Sequence, residues 1–146
     1  MDRKYDSLKL SNQLCFPIYL CSKEIIRHYT PYLSDVDLTY TQYIVMLYFF
    51  EKEMCNVKEL GDCLLLDSST LTPVLKKLEA KGYIKRERSN IDERNLVVTI
   101  TKKGNELKDK LLDVPKKMGE CINLTEQEAK TLYTLIYKVL LNIEKE

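Results

Sequence analysis

Between Asn56 and Thr101 the chain reads NVKELGDCLLLDSSTLTPVLKKLEAKG and then YIKRERSNIDERNLVVTIT: two short helices followed by a charged hairpin. Asp67 and Ser68 supply side-chain oxygens for a helix cap, just ahead of an apolar stripe at Leu71, Val74, Leu75 and Leu78. Gly82 ends that helix, because glycine enters the left-handed region at little steric cost. Val97 to Ile100 are β-branched, and Ser89-Asn90-Ile91-Asp92 is turn chemistry between them and Tyr83-Ile84. A helix pair followed by a hairpin predicts a winged helix-turn-helix over about residues 39–101, an arrangement suited to reading double-stranded DNA.

The charge pattern agrees. Residues 76–103 hold nine Lys and Arg (Lys76, Lys77, Lys81, Lys85, Arg86, Arg88, Arg94, Lys102, Lys103) against four acids (Glu79, Glu87, Asp92, Glu93). That is a local charge of +5 in a chain whose formal total is +1. Positive charge is therefore gathered where such a fold presents it to phosphates.

The 146 residues suffice for one domain with its own core, expected to span 1–146. Four glycines and four prolines, with abundant Lys, Glu and Leu, favour a mostly α-helical protein. No apolar run approaches the ~20 residues of a membrane span, and the first ten residues lack a signal-peptide core, so a cytoplasmic protein is expected. The five cysteines (Cys15, Cys21, Cys55, Cys63, Cys121) form no Cys-x-x-Cys, and His28 is the single histidine. Neither a disulfide framework nor a metal site nor another cofactor is expected.

Outside the reading block the chain is helical and apolar. Residues 8–33 carry Leu14, Ile18, Cys21 and Ile25 on one face, and Pro17 predicts a kink within this helix. Thr39-x-x-Gln42 and Thr125-x-x-Glu128 are capping boxes, the first with Leu38 and Tyr43 placed as a hydrophobic staple. Between them they launch a helix apolar nearly all round (Tyr40 to about Glu51) and a last helix with Leu132, Leu135, Ile136, Val139 and Leu140 on one side. A third helix is expected to start at Asn56 or at Met54-Cys55 and to end near Leu64, and a fifth to start at Thr101, interrupted or kinked at Pro115. The helices at about 8–33 and 102–145 have apolar faces that a winged helix alone does not cover. A second copy covers both sets at once, so dimerisation through the N- and C-terminal helices is expected. A two-fold dimer then presents two reading helices to the half-sites of a pseudo-palindromic operator.

Three segments carry a resemblance to a known family: NQLCF at 12–16, LTYTQY at 38–43, and LDSSTLTPVLKKLE at 66–79 followed by RERSNIDERNL at 86–96. Together they resemble the MarR family, specifically its OhrR-type peroxide sensors, and SarZ- and MgrA-like global regulators share the pattern. The resemblance covers nearly the whole chain. It implies that the helix at 68–79 enters the major groove. Ser68, Ser69, Thr70 and Thr72 would lie at its start and Lys76 and Lys77 further along, with Pro73 tolerated in its early turns. It assigns the hairpin, with Arg86, Arg88, Asp92 and Arg94, to the family wing. Arg94 would sit in a narrow minor groove and Asp92 would orient it by a bidentate ion pair.

The same resemblance implies a redox-sensing site at Cys15, surrounded by Tyr19, Tyr29 and Tyr40, the last two from the partner subunit. A thiolate is the nucleophile toward a peroxide oxygen, and phenol donors stabilise it. Apolar neighbours such as Phe16, Ile18, Met46 and Leu47 favour an organic hydroperoxide as oxidant. The oxidised sulfur must then be resolved by a thiol. Cys121 falls where some members carry a resolving cysteine, and a low-molecular-weight thiol is the alternative. Tyr32, Tyr43 and Tyr48 read as core or interface residues. The expected function is a homodimeric transcriptional regulator, a repressor, released from its operator when Cys15 is oxidised. Two alternatives remain: a MarR-type regulator answering a small lipophilic or phenolic ligand, or a global virulence and stress regulator under Cys15 redox control. A thiol peroxidase is not expected, since no recycling feature is visible in the sequence.

Overall fold

Helix α1 (Cys15–Ser34) follows two short 3₁₀ turns, Arg3–Leu8 and Leu10–Asn12, in a computed structural model that describes residues 3–92 and 94–144. Glu93, counted above among the wing acids, and Lys145, at the end of the expected last helix, lie outside the described residues. The remaining elements are α2 (Tyr40–Lys52), β1 (Met54–Asn56), α3 (Val57–Leu64), α4 (Ser68–Ala80), β2 (Ile84–Arg88), β3 (Leu96–Ile100), α5 (Lys102–Leu111), α6 (Val114–Ile122) and α7 (Glu126–Glu144). The chain is thus mostly helical with a small antiparallel sheet in the order β1-β3-β2, as a winged helix requires. It divides into two compact units, one ending at Leu112 and the other starting at Asp113.

The first helix corrects the sequence reading. Residues 8–12 are not part of it. The side chain of Asn12 donates to the Asp6 carbonyl at 2.7 Å, and that of Gln13 donates to the carbonyls of Ser7 and Lys9. These bonds hold the preceding backbone in 3₁₀ turns. Pro17 consequently falls in the first turn of α1, where its missing N–H has no intrahelical acceptor to lose, so no kink follows. Pro31, near the other end, is the proline inside this helix.

Caps decide where the other helices begin. The Thr39 hydroxyl accepts from the Gln42 N–H at 3.2 Å, and the Gln42 amide oxygen accepts from the Thr39 N–H at 3.1 Å. Asn56 and Glu59 form the same reciprocal pair and start α3 at Val57. At the head of α4 the cap is Asp67 alone, accepting from the Thr70 N–H at 2.8 Å, while Ser68 is already the first helical residue. The end of α4 is a Schellman closure: Gly82 N–H bonds Glu79 and Tyr83 N–H bonds Leu78, with Gly82 at φ +81°. Gly61 serves the tight turn between α3 and α4, since a Cβ there would stand 2.8 Å from the Leu66 carbonyl oxygen. Thr125 and Glu128 cap α7 as expected.

The core of the first unit lies between α2, α3, α4 and the sheet. Val45, Met46, Phe49, Leu60, Leu71, Leu75, Leu78, Ile84 and Val98 are buried within it. Each such side chain contributes about 1.5–3 kcal/mol by leaving water. β1 was not expected. Its three residues pair with β3 (Met54 with Thr99, Cys55 with Val98, Asn56 with Val97) and convert the hairpin into a sheet that closes against the core.

Candidate DNA interface and thiol site

One face of α4 is buried through Leu71, Leu75 and Leu78, which sends the others outward. Ser68, Ser69, Thr70, Thr72, Lys76 and Lys77 are all exposed. They form one continuous polar and cationic surface along the helix, suited to phosphates at its start and base edges along its length. Ser69 also donates to Asp67 at 2.6 Å, and this bond, with the Thr70 amide, holds the Asp67 carboxyl below the usual range. The cap therefore stays ionised and stays formed.

In the wing, β2 and β3 pair from Ile84–Ile100 to Arg88–Leu96 and put alternate residues on opposite faces. Arg86 points toward α4. Its guanidinium lies 3.1 Å from the Glu79 carboxylate, its backbone N–H donates to the same group at 2.8 Å, and its Nε is buried without a partner. Arg86 thus clips the wing to α4, and its side chain is engaged inside the protein. Lys85 is paired with Glu87 at 2.6 Å. Arg88 lies on the exposed strand end.

At the tip, Arg94 is 95% exposed. Here a second expectation is corrected. Asp92 does not hold Arg94 in a bidentate pair. Its Oδ1 accepts the Arg94 backbone N–H at 3.0 Å and lies 3.9 Å from Nε. The carboxylate shapes the turn, and the guanidinium projects into solvent free to follow a groove.

Cys15 is the first residue of α1 and is exposed, with Tyr19 one turn further on. Tyr29 and Tyr40 are brought together, but against each other: their ring centroids are 4.8 Å apart across α1 and α2. Tyr43 is buried, as its core or interface reading expects, and is the third member of the cluster, 5.5 Å from Tyr29 and 6.1 Å from Tyr40. Burial raises the phenol pKa of all three, to about 12 for Tyr43. They remain protonated donors at any physiological pH. From Cys15 to Tyr29 is fourteen residues of one helix, about 21 Å at the helical rise, so the cluster stands far from the thiol of its own chain. Cys121 is exposed in the last turn of α6. Cys55, in β1, is buried, and its thiol is pushed up to about 11 by that burial, while Tyr48 hydrogen-bonds it. It is an inert packing residue at neutral pH.

The family model for the transcriptional regulator SarA/Rot matches residues 27–111, from the tyrosine-bearing part of α1 to the end of α5. The chain belongs to the SarA/Rot family of transcriptional regulators. The HTH-type transcriptional regulator SarZ of Staphylococcus aureus strain MRSA252 is 49% identical over 123 residues, 84% of this chain and 83% of that one. The organic hydroperoxide resistance transcriptional regulator of Bacillus subtilis strain 168 is 41% identical over 143 residues, 96% of this chain and 95% of that one. Among solved structures, reduced AbfR bound to DNA matches with a TM-score of 0.80 at 33% identity, covering 96% of this chain and 98% of that one. A disulfide-formed AbfR matches with a TM-score of 0.65 at 32% identity, over 98% and 97% of the two chains. The expected fold class, a MarR-type winged helix, is the observed one. Among the described residues no helix is long and apolar enough to cross a membrane, and no group of three His, Cys, Asp or Glu stands together to hold a metal.

Proposed function

We propose that the chain is a homodimeric, cytoplasmic transcriptional regulator, a repressor, that leaves a pseudo-palindromic operator when an organic hydroperoxide oxidises Cys15. The observation that carries the sensing half is the separation of Cys15 from Tyr29 and Tyr40. A thiol at the start of α1 and donors about 21 Å along it make one site only when a second copy supplies the donors. The exposed apolar faces of α1 and α7 support that second copy. The polar face of α4 and the projecting Arg94 support operator binding, as does the likeness to a DNA-bound AbfR. The Bacillus relative's description supports organic hydroperoxide as the oxidant.

The chemistry is stoichiometric. The Cys15 thiolate attacks the terminal peroxide oxygen, and the O–O bond breaks. An alkoxide then leaves with the electron pair and takes up a proton, giving Cys15 sulfenic acid and an alcohol. A second thiol attacks that sulfur and expels water. Cys121 is the resolving candidate within the protein, and a disulfide form of AbfR supports such a step. A low-molecular-weight thiol is the other route. One peroxide is consumed per Cys15, so the protein is a sensor without turnover.

The test is Cys15→Ser. The variant is expected to bind operator as the native chain does and to ignore a stoichiometric dose of cumene hydroperoxide. Release of the variant on oxidation would reject Cys15 as the sensor. Intact mass of the native chain after the same dose separates sulfenic acid, internal disulfide and mixed disulfide.

A further inference from the structure

We infer that Lys81 and Gln42, which belong to neither the DNA face nor the thiol site, form a joint that positions α4 according to the state of the tyrosine cluster. The inference rests on the redox reading above. Lys81 follows the last residue of α4 and its ammonium turns inward, 26% exposed. It donates to the backbone carbonyl of Asp37, lies 3.4 Å from the Asp37 carboxylate, and donates to the Gln42 amide oxygen at 3.3 Å. Its own backbone carbonyl accepts from Lys103 at 2.8 Å, which braces the joint from α5.

Each partner of Lys81 is tied to the tyrosines. Gln42 is buried at 3% exposure, and its one amide oxygen serves both Lys81 and the Thr39 N–H that starts α2. Tyr40, whose ring is tilted against that of Tyr29 with centroids 4.8 Å apart, lies two residues before Gln42 in the same helix. Asp37 sits in the short link from α1, to which Tyr29 belongs, and holds φ +53°, a conformation that side-chain-bearing residues rarely adopt. A shift of α1 against α2 therefore changes the spacing between Asp37 and Gln42, the two residues that accept from Lys81. α4 runs roughly 20 Å from Lys81 back to Ser68, so a tilt of about 5° at the joint carries Ser68 to Thr72 by about 1–2 Å. That is enough to misplace hydrogen bonds to base edges.

The test uses the full chain and a DNA duplex selected from a random pool by the reduced native protein. In Lys81→Met the expected reduced-state affinity lies within about threefold of native, and cumene hydroperoxide oxidises Cys15 to the same extent by mass. The loss of affinity on oxidation is expected to shrink at least about tenfold, and Lys81→Arg to restore it. Gln42→Glu keeps the α2 capping box and charges the Lys81 contact, so it is expected to widen the loss. An oxidation response in Lys81→Met equal to the native one overturns the joint, as does a response in Gln42→Glu that stays the same or shrinks. A double-mutant cycle of Tyr40→Ala with Lys81→Met, read as reduced-state affinity, judges the joint without oxidation. Non-additivity of about fivefold or more supports it, and additivity overturns it. A native chain that keeps its DNA after Cys15 is oxidised would reject the sensor reading instead, leaving the cycle to decide the joint.

Discussion

In the winged-helix body, Leu71, Leu75 and Leu78 on α4 are at most 1% exposed, whereas on α7 Leu132, Leu135, Ile136 and Val139 are 41–54% exposed. Both sets have helical spacing and similar apolar content. The first set is covered by α2, the neighbouring helix and the sheet. α7 buries none of its residues, and α1 buries only Leu33. The difference teaches that the chain holds two kinds of element: a body stable on its own packing, and helices with exposed apolar faces whose hydrophobic free energy is realised only on association.

That contrast can be broken at several points. The largest effect is expected from Leu78→Ala, which opens a cavity in the body and should cost about 2–5 kcal/mol in urea unfolding, independent of protein concentration. A strong concentration dependence of that loss would mean the body is not self-sufficient. Ile136→Asp, on the exposed face of α7, should raise the dimer dissociation constant by roughly a hundredfold in sedimentation equilibrium, because a charge would have to be buried in the interface. An unchanged constant would remove α7 from the interface.

Smaller effects sharpen the picture. Arg94→Ala should weaken operator binding roughly tenfold and lower the salt slope by about one counterion, with folding untouched. Equal salt slopes would take the wing tip out of the DNA contact. Tyr43→Phe should cost less than about 1 kcal/mol and should remove the last phenol to ionise in an alkaline titration followed at 295 nm. Burial beside Tyr29 and Tyr40 pushes the folded pKa of Tyr43 above the ordinary phenol value, to about 12. Its contribution to stability is therefore fully present below pH 10 and is lost as pH rises toward 12. A Tyr43 that ionises with the exposed tyrosines would place it outside the cluster.

Much of this was legible in the residues. Thr39-x-x-Gln42 and Thr125-x-x-Glu128 marked helix starts that the hydrogen bonds reproduce, and the Leu71–Leu78 stripe with Gly82 marked α4 and its end. β1 was not legible, because three residues are too few for alternation and their pairing with β3 is a contact more than forty residues away in sequence. The start of α1 was missed for a related reason: apolar spacing continues through residues 8–14, but the Asn12 and Gln13 side chains claim backbone carbonyls there. In the candidate site, the cap and the apolar stripe put Ser68 to Lys77 on one helix, and only the family resemblance assigned that helix to the DNA major groove. Arg86 could not be placed, since strand alternation turned it onto Glu79, and neither could Tyr43, whose neighbours Tyr29 and Tyr40 meet only across two helices.

By itself, then, the sequence determined the local elements and the order that makes a winged helix, because caps, glycine stops and apolar periods act within a few residues. It also determined that positive charge would gather around α4 and the wing. Only the tertiary structure decided which of those cations face solvent, that the phenols form one cluster far from Cys15 along α1, and that Lys81 grips Asp37 and Gln42 at the foot of the reading helix. Those outcomes depend on where distant segments meet, and a buried side chain takes whichever partner the packing brings within reach.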